Sequence, residues 1–330
     1  MLNRNRGGAS AGYLYRRVVS AARPPRRQSC SGRYHPLLGT NVEIRVDAAA
    51  QSDADAQRLA SDAESVTVDE MLRLQAVFSV FDPDSEVCRW RIGATDAPSP
   101  ELVECLAAAE HWWKVSGGAF HPASARLRTL WLAAEADQRL PGDDELAEAV
   151  ASLAALPFVV DEGQVRRTGD CTGVDLNAIA KGYIVDRAVA AAMRFPGVVD
   201  VLVNAGGDLR HEGDRELRVG VEDPADRAGA PATVVELARG ALATSGSVHR
   251  GFQIAGTWYG HVLDPRAGRP VADRPSTTVR ARDAMTADAV ATVVNVLGWP
   301  AAGPLVADVV DVAVLSVDAA GGVLPGGGWS

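Results

Sequence analysis

Asp288 and Thr292 stand four residues apart in Met285-Thr286-Ala287-Asp288-Ala289-Val290-Ala291-Thr292, so on a helix their oxygens share one face. A carboxylate and a hydroxyl so placed can grip one hard cation, with main-chain carbonyls and phosphate oxygens completing the shell. Magnesium prefers that arrangement to an all-protein cage. The plainer reading has Asp288 solvating a first turn while Thr292 packs. Lys181 poses a similar choice, because it and Lys114 are the only lysines among 33 basic residues. An ammonium is a compact charge whose donors rotate around phosphate oxygens, whereas a guanidinium is a wide, flat fork. Lys181 therefore suits a phosphate, or is a surface lysine by chance.

Three further stretches carry candidate chemistry. In Asp175-Leu176-Asn177-Ala178-Ile179-Ala180-Lys181-Gly182, a cap at Asn177 would open a helix whose free N–H groups favour an anion. Asp175 can accept from a heterocycle or a ribose, and both residues can equally be caps alone. Gly206-Gly207 in Asn204-Ala205-Gly206-Gly207-Asp208 allows close backbone approach to a pyrophosphate, or simply a tight strand-to-strand turn. It is no GxGxxG fingerprint. Thr244 and Ser245 offer hydroxyls at a strand end, and His261 can act as acid, base or donor, or be a satisfied strand histidine.

The elements that must hold these residues fall into two halves. Alternation predicts a strand over 39–47, and apolar spacing predicts an amphipathic helix over 53–78. Further helices are expected over 100–114, 123–135 and 143–153, with turn chemistry at 81–85. Short strands at 158–160 and 164–167 precede the Asp175 stretch. Strands then dominate, at 199–204, 216–221, 233–238, 251–254, 258–263, 277–281 and 312–317, interrupted by a helix over 284–297. Helices first and strands later predict an α+β fold.

Net charge is −9, yet residues 1–33 hold eight arginines and no acid, so the rest carries 25 basic against 42 acidic residues. So acidic a body is a poor nucleic-acid surface and must meet a phosphate locally. The segments expected are a basic disordered arm over 1–33, one domain over 34–320 and a frayed tail over 321–330. No segment reaches membrane-spanning length or forms a secretory signal. Four cysteines without metal or disulfide spacing fit a cytoplasmic location, with a periplasmic or membrane-associated one as the alternative.

In order and separation, these pieces resemble the ApbE family of flavin transferases. The matching segments are Leu38-Gly39-Thr40, Phe81-Asp82-Pro83-Asp84-Ser85-Glu86, Ser116-Gly117-Gly118-Ala119-Phe120, Asp175 through Gly182, Asn204 through Asp208, Thr244-Ser245-Gly246, His261 through Gly268, and Ala287 through Thr292. The resemblance covers about residues 36–317. It implies an α+β fold with an FAD cleft between a helix-rich and a strand-rich half. It also implies Mg²⁺-dependent transfer of FMN from FAD to a Ser or Thr hydroxyl of a target flavoprotein, through a phosphoester, with release of AMP. On that resemblance Asp288, Thr292 and the Ala178 carbonyl hold the metal. Lys181 and Asp175 contact FAD, and Leu38, Phe81, Ala119, Phe120 and His121 line the flavin. Asn204, Gly206, Gly207, Thr244, Ser245 and Val262 complete the FAD site, and His261 handles the proton at the acceptor hydroxyl. His121 stands where the family usually has aspartate, Phe81 where it has tyrosine, and Leu38 where methionine is frequent. Two alternatives share the site: an FAD pyrophosphatase, with water as acceptor, and a flavin-binding protein without turnover.

Overall fold

A computed structural model describes residues 25–226, 229–247, 250–272, 276–318 and 320–329. Strands β1 (Arg26–Leu37) and β2 (Thr40–Ala50) form a hairpin. Helices α1 (Asp53–Phe78), α2 (Glu86–Arg91), α3 (Pro100–Val115), α4 (Ala125–Ala136) and α5 (Asp143–Ala151) follow. A ribbon of β3 (Phe158–Asp161) and β4 (Gln164–Arg167) leads into α6 (Ala180–Met193). Next come β5 (Val198–Ala205), β6 (Asp208–Gly213), a ribbon of β7 (Leu217–Val221) and β8 (Thr233–Leu237), and β9 (Gly240–Gly246). Two more ribbons pair β10 (Gly251–Ile254) with β11 (Thr257–Gly260) and β12 (Leu263–Asp264) with β13 (Arg269–Pro270). The chain closes with β14 (Ser276–Ala281), α7 (Ala284–Leu297), α8 (Trp299–Ala302), β15 (Ala313–Val317) and β16 (Val323–Gly326).

Eight of these strands make one sheet in the order β1-β2-β5-β6-β9-β14-β15-β16, and each neighbouring pair is antiparallel. Helices α1, α6 and α7 lie across one face of it. Ile44, Val46, Val201 and Val203 from the sheet meet Met71, Val185 and Val290 from the helices in the main core. Small residues let the layers approach closely. In α1, Ala56, Ala60 and Ala63 recur on the buried stripe, and the Ser52 hydroxyl accepts the Asp55 N–H at 3.1 Å to cap the first turn. Helix α7 is buried over most of its circumference, so its alanines and valines need no polar face. The α+β class and the helix-first, strand-later order are those expected from the sequence.

Several boundaries differ. The expected arm over 1–33 ends inside β1, which begins at Arg26; residues 1–24 lie outside the described residues. Strand β1 is polar because it is an edge, which charge protects from further pairing. Its Arg27 reaches Asp47 at 2.9 Å and Asp214 at 2.8 Å, while Ser29 donates to Asp47 at 2.6 Å. The tail over 321–330 also contributes β16, paired with β15, and a Cβ on Gly326 would lie 2.6 Å from the Trp299 ring, so glycine lets the backbone rest on the indole. Strands β6 and β9 and helix α2 add elements that the pattern did not predict.

Candidate active site

Two helices cross to build the site's centre. Asp186, two turns into the α6 segment, accepts the Ala284 and Met285 N–H groups at 2.8 and 2.9 Å and so caps α7 from its neighbour. Burial raises the Asp186 carboxyl to about 6, against those two hydrogen bonds. Gly182 makes the crossing close: a Cβ there would overlap the Ala284 carbonyl and lie 2.7 Å from the Met285 nitrogen. Both obstacles are backbone, so Gly182→Ala must push the helices apart. We expect a loss of about 1–3 kcal/mol in denaturant unfolding, the usual cost of overpacking. Wild-type stability in that variant would show the crossing to be slack.

The crossing brings Lys181 and Asp288 together. Lys181 Nζ donates to Asp208, the first residue of β6, and the Gly182 N–H donates to the Asp288 carboxyl. Burial alone would lower the Lys181 ammonium, but Asp208 and Asp288 outweigh it and raise its pKa. Burial raises Asp208, opposed by Lys181. Asp288 is raised well above the carboxylate range by burial and by the charge of Asp208. One ammonium therefore faces two buried carboxyls. Asp288 Oδ2 is buried and accepts from no N–H, while the Asp208 and Asp288 carboxyls lie within hydrogen-bond reach of each other, a pairing that needs a shared proton or a cation.

That pairing fits a cation. Thr292 is half-buried one turn further along α7, and Ala178, also half-buried, lies one turn before Gly182. Among the described residues no three His, Cys, Asp or Glu side chains cluster as metal ligands. A carboxylate, a hydroxyl and a carbonyl are the donor types that suit a hard ion sharing its shell with phosphate. Asn177 does not cap α6, because the N-cap is Ile179 without a side-chain bond. Instead Asn177 folds back, its N–H and amide donating to Asp175 at 2.8 and 3.1 Å. Asp175 is itself half-buried, and burial raises its carboxyl.

Two hairpin tips meet beside this cluster. Gly206 and Gly207, at φ of 62° and 104°, form the two-residue turn between β5 and β6. Leu38 and Gly39 make the matching turn between β1 and β2, with Leu38 at φ 53°, a left-handed value that a leucine rarely adopts. Gln75 of α1 holds it by accepting the Leu38 N–H at 2.8 Å. The Gly206 N–H donates to the Asn41 carbonyl at 3.1 Å, and a Cβ on Gly206 would overlap the Thr40 hydroxyl. Asn204 Oδ1 accepts the Gly207 N–H at 3.2 Å. A Cβ on Gly207 would lie 4.0 Å from Thr244, whose exposed side chain shares a 2.9 Å hydroxyl contact with Thr278. Ser245 is half-buried next to it, with its carbonyl accepting from Asn295 at 3.0 Å. Phe81, after α1, is 79% exposed, a bare aromatic face suited to stacking.

His261 follows β11 and lies in electrostatic range of Lys181, Arg128 and Arg250. Its Nδ1 sits 3.1 Å from the Arg250 carbonyl, which can only accept, so Nδ1 carries the proton. His261 is exposed at the surface, yet the protein packed around the ring lowers its pKa, so it is neutral near pH 7 and Nε2 presents a lone pair. Arg91 and Arg128 also act on Asp175, and Arg250 on Asp208. These three arginines are the local cations that an acidic body needs for a phosphate ligand. No spacing in the sequence marks them, since each comes from a different element.

Ala119, Phe120 and His121, expected to line the flavin, have buried side chains. Ala119 packs with Val262, Val271 and Val296, and Phe120 enters the main core. His121 Nδ1 accepts the Ala123 N–H at 3.0 Å, and Nε2 donates to the Leu153 carbonyl at 3.1 Å, so both ring nitrogens have protein partners. These side chains support the site from behind, and Val262 ties them to His261. Burial lowers the His121 pKa from 6.5 to about 4. An unfolded ring takes a proton near pH 6.5 while the folded one resists until about 4, so stability falls as pH falls through that window. The loss should approach about 3 kcal/mol, and His121→Gln, which keeps a donor and an acceptor, should flatten it in urea titrations between pH 7 and 4. An unchanged pH slope in that variant would contradict the assignment.

Comparison with known proteins finds relatives along most of the chain. An FAD:protein FMN transferase of Vibrio cholerae is 28% identical over 292 residues, covering 85% of this chain and 84% of that protein. One of Treponema pallidum is 28% identical over 296 residues, covering 82% of each. The crystal structure of the ApbE protein of Thermotoga maritima superposes with a TM-score of 0.77 at 28% identity, over 91% of this chain and 97% of that one. The flavin transferase ApbE of Vibrio cholerae shares the fold, with a TM-score of 0.72 at 23% identity over 92% and 98% of the two chains. The sequence pattern of the ApbE family spans residues 38–315, from the strained Leu38 turn through the whole of α7, and the chain belongs to that family.

Proposed function

We propose that this protein is an FAD:protein FMN transferase that moves FMN onto a Ser or Thr hydroxyl of a target flavoprotein. The observation that carries the reading is the Asp288 carboxyl, buried against that of Asp208 and beside Lys181 at the helix crossing. Asp288, Thr292 and the Ala178 carbonyl would hold a magnesium ion, which neutralises charge on the pyrophosphate. Lys181 and the nearby arginines attract the same phosphates, while Gly206 and Gly207 leave room for them against the backbone. Phe81 offers its ring to the isoalloxazine, and Leu38 and Thr244 stand beside the hairpin tips where the dinucleotide passes.

In the transfer, the acceptor oxygen attacks the phosphorus on the FMN side as the bond to the AMP oxygen breaks. Nε2 of His261 takes the hydroxyl proton, and AMP leaves carrying the pyrophosphate oxygen. The protein contributes positioning and electrostatics, with no covalent intermediate of its own. Mass spectrometry of a co-expressed candidate acceptor should show one FMN added with loss of water. Steady AMP release with no labelled protein would favour FAD hydrolysis. Bound FAD without AMP would favour a binding protein.

A further inference from the structure

The ribbon of β10 and β11 has one guarded edge and one open edge. Ala255 and Gly256, at φ of 47° and 80°, turn the chain between Ile254 and Thr257. Ile254–Thr257 and Phe252–Tyr259 are then the hydrogen-bonded pairs, so the main-chain groups of Gln253 point out on one side and those of Trp258 and Gly260 on the other. On the Gln253 side, Glu135 accepts the Gln253 N–H at 2.6 Å, Gln138 donates to the Gln253 carbonyl at 2.9 Å, and Gln138 accepts the Ala255 N–H at 2.9 Å. Side chains from the end of α4 thus close that edge against other strands. Among the described residues no strand pairs with the other edge, and the Trp258 and Gly260 main-chain groups have no partner there. The open edge ends one residue before His261.

We propose that this edge captures the acceptor polypeptide as an added strand and so delivers its hydroxyl to His261. The proposal rests on the transferase reading, because an acceptor hydroxyl that belongs to a protein must arrive with its backbone attached. Main-chain hydrogen bonds give such docking its affinity, and alternate side chains give it selectivity. An extended chain advances about 3.3 Å per residue, so a hydroxyl one or two residues beyond the last pair reaches the histidine. Trp258 adds a contact surface: it is 47% exposed, lies over Gly251 and is fixed by its indole N–H to the Ser247 carbonyl at 3.0 Å.

Trp258→Pro removes the outward N–H at a position where an edge strand tolerates proline, while Trp258→Ala removes only the side chain. With an acceptor flavoprotein established by mass spectrometry, the proline variant should show an acceptor KM about tenfold above that of the alanine variant, about the worth of one hydrogen bond. Its kcat at saturating acceptor and its FAD affinity should match the alanine variant's. Equal KM values while the wild type transfers FMN would overturn the docking edge and leave the transferase reading standing. A wild type that labels no protein sinks both. A concentration-dependent dimer abolished only by Trp258→Pro, with unchanged acceptor KM, would give the edge to a second copy and overturn the proposal. Should the proline variant fail to bind FAD, successive backbone amides of an acceptor peptide are N-methylated instead. Inhibition at every second position supports the added strand, and a uniform or absent effect contradicts it.

Discussion

Replacing Asp288 by alanine should lower magnesium-dependent FMN transfer about 100- to 1000-fold, the usual effect of deleting one electrostatic contact to a reacting phosphate. The same substitution should leave the melting temperature unchanged or raise it. Asp208 and Asp288 are two buried carboxyls facing one ammonium, and Lys181 keeps Asp208 when Asp288 is gone. A residue whose removal harms activity but not the fold is held in place for its ligand. Asp288→Asn separates charge from shape, because it keeps the volume and removes the carboxyl that must ionise beside Asp208 to hold a cation. It should be as inactive as the alanine variant and at least as stable as the wild type. Thermal unfolding together with AMP release and acceptor labelling checks both. Full activity, or a large loss of stability with activity kept in the folded fraction, would contradict the role.

His261→Ala should slow transfer about 100-fold or more, the range of a positioned general base, with FAD affinity preserved. In the wild type, activity should rise with pH as the ring loses its proton and level off before neutrality, because the protein packed around this surface histidine holds its pKa below its ordinary 6.5. The acid limb should vanish in the alanine variant. Initial rates from pH 5 to 8 at saturating FAD read this directly. A limb that persists in His261→Ala belongs to another group, and an apparent pKa above 7 would mean that the ring is not desolvated as described.

Much of the frame was legible because it rests on strong local signals. Helices α1 and α7 run over the spans expected from their apolar spacing, and the caps at Ser52 and Asp283 lie just before them. The Asp288–Thr292 pair and the Gly206-Gly207 turn were legible for the same reason, since helical period and turn chemistry are local. Strand β9 was not: Gly240-Ala241-Leu242-Ala243 has weak strand preference and becomes a strand because β6, β14 and α7 surround it. Nor was β1, whose polar edge is stabilised by acids far along the chain, Asp47 and Asp214.

The site divides in the same way. Lys181 drew notice as a rare lysine, but its partner Asp208 and the cap from Asp186 to α7 exist only once the helices cross. Arg91, Arg128 and Arg250 gather from α2, α4 and the approach to β10, which no window of sequence contains. His121 was legible as a motif position, while the Leu153 carbonyl that orients its ring comes close only in the fold.

On the proposed reading, Asp288 and Thr292 hold a divalent ion against the pyrophosphate of FAD. Crystals soaked with FAD and manganese, in place of magnesium, test it by anomalous scattering. One peak is expected within ligand distance of the Asp288 carboxylate and the Thr292 hydroxyl, with phosphate oxygens completing its shell. A peak elsewhere, with FAD bound and both side chains turned into the protein, would contradict it.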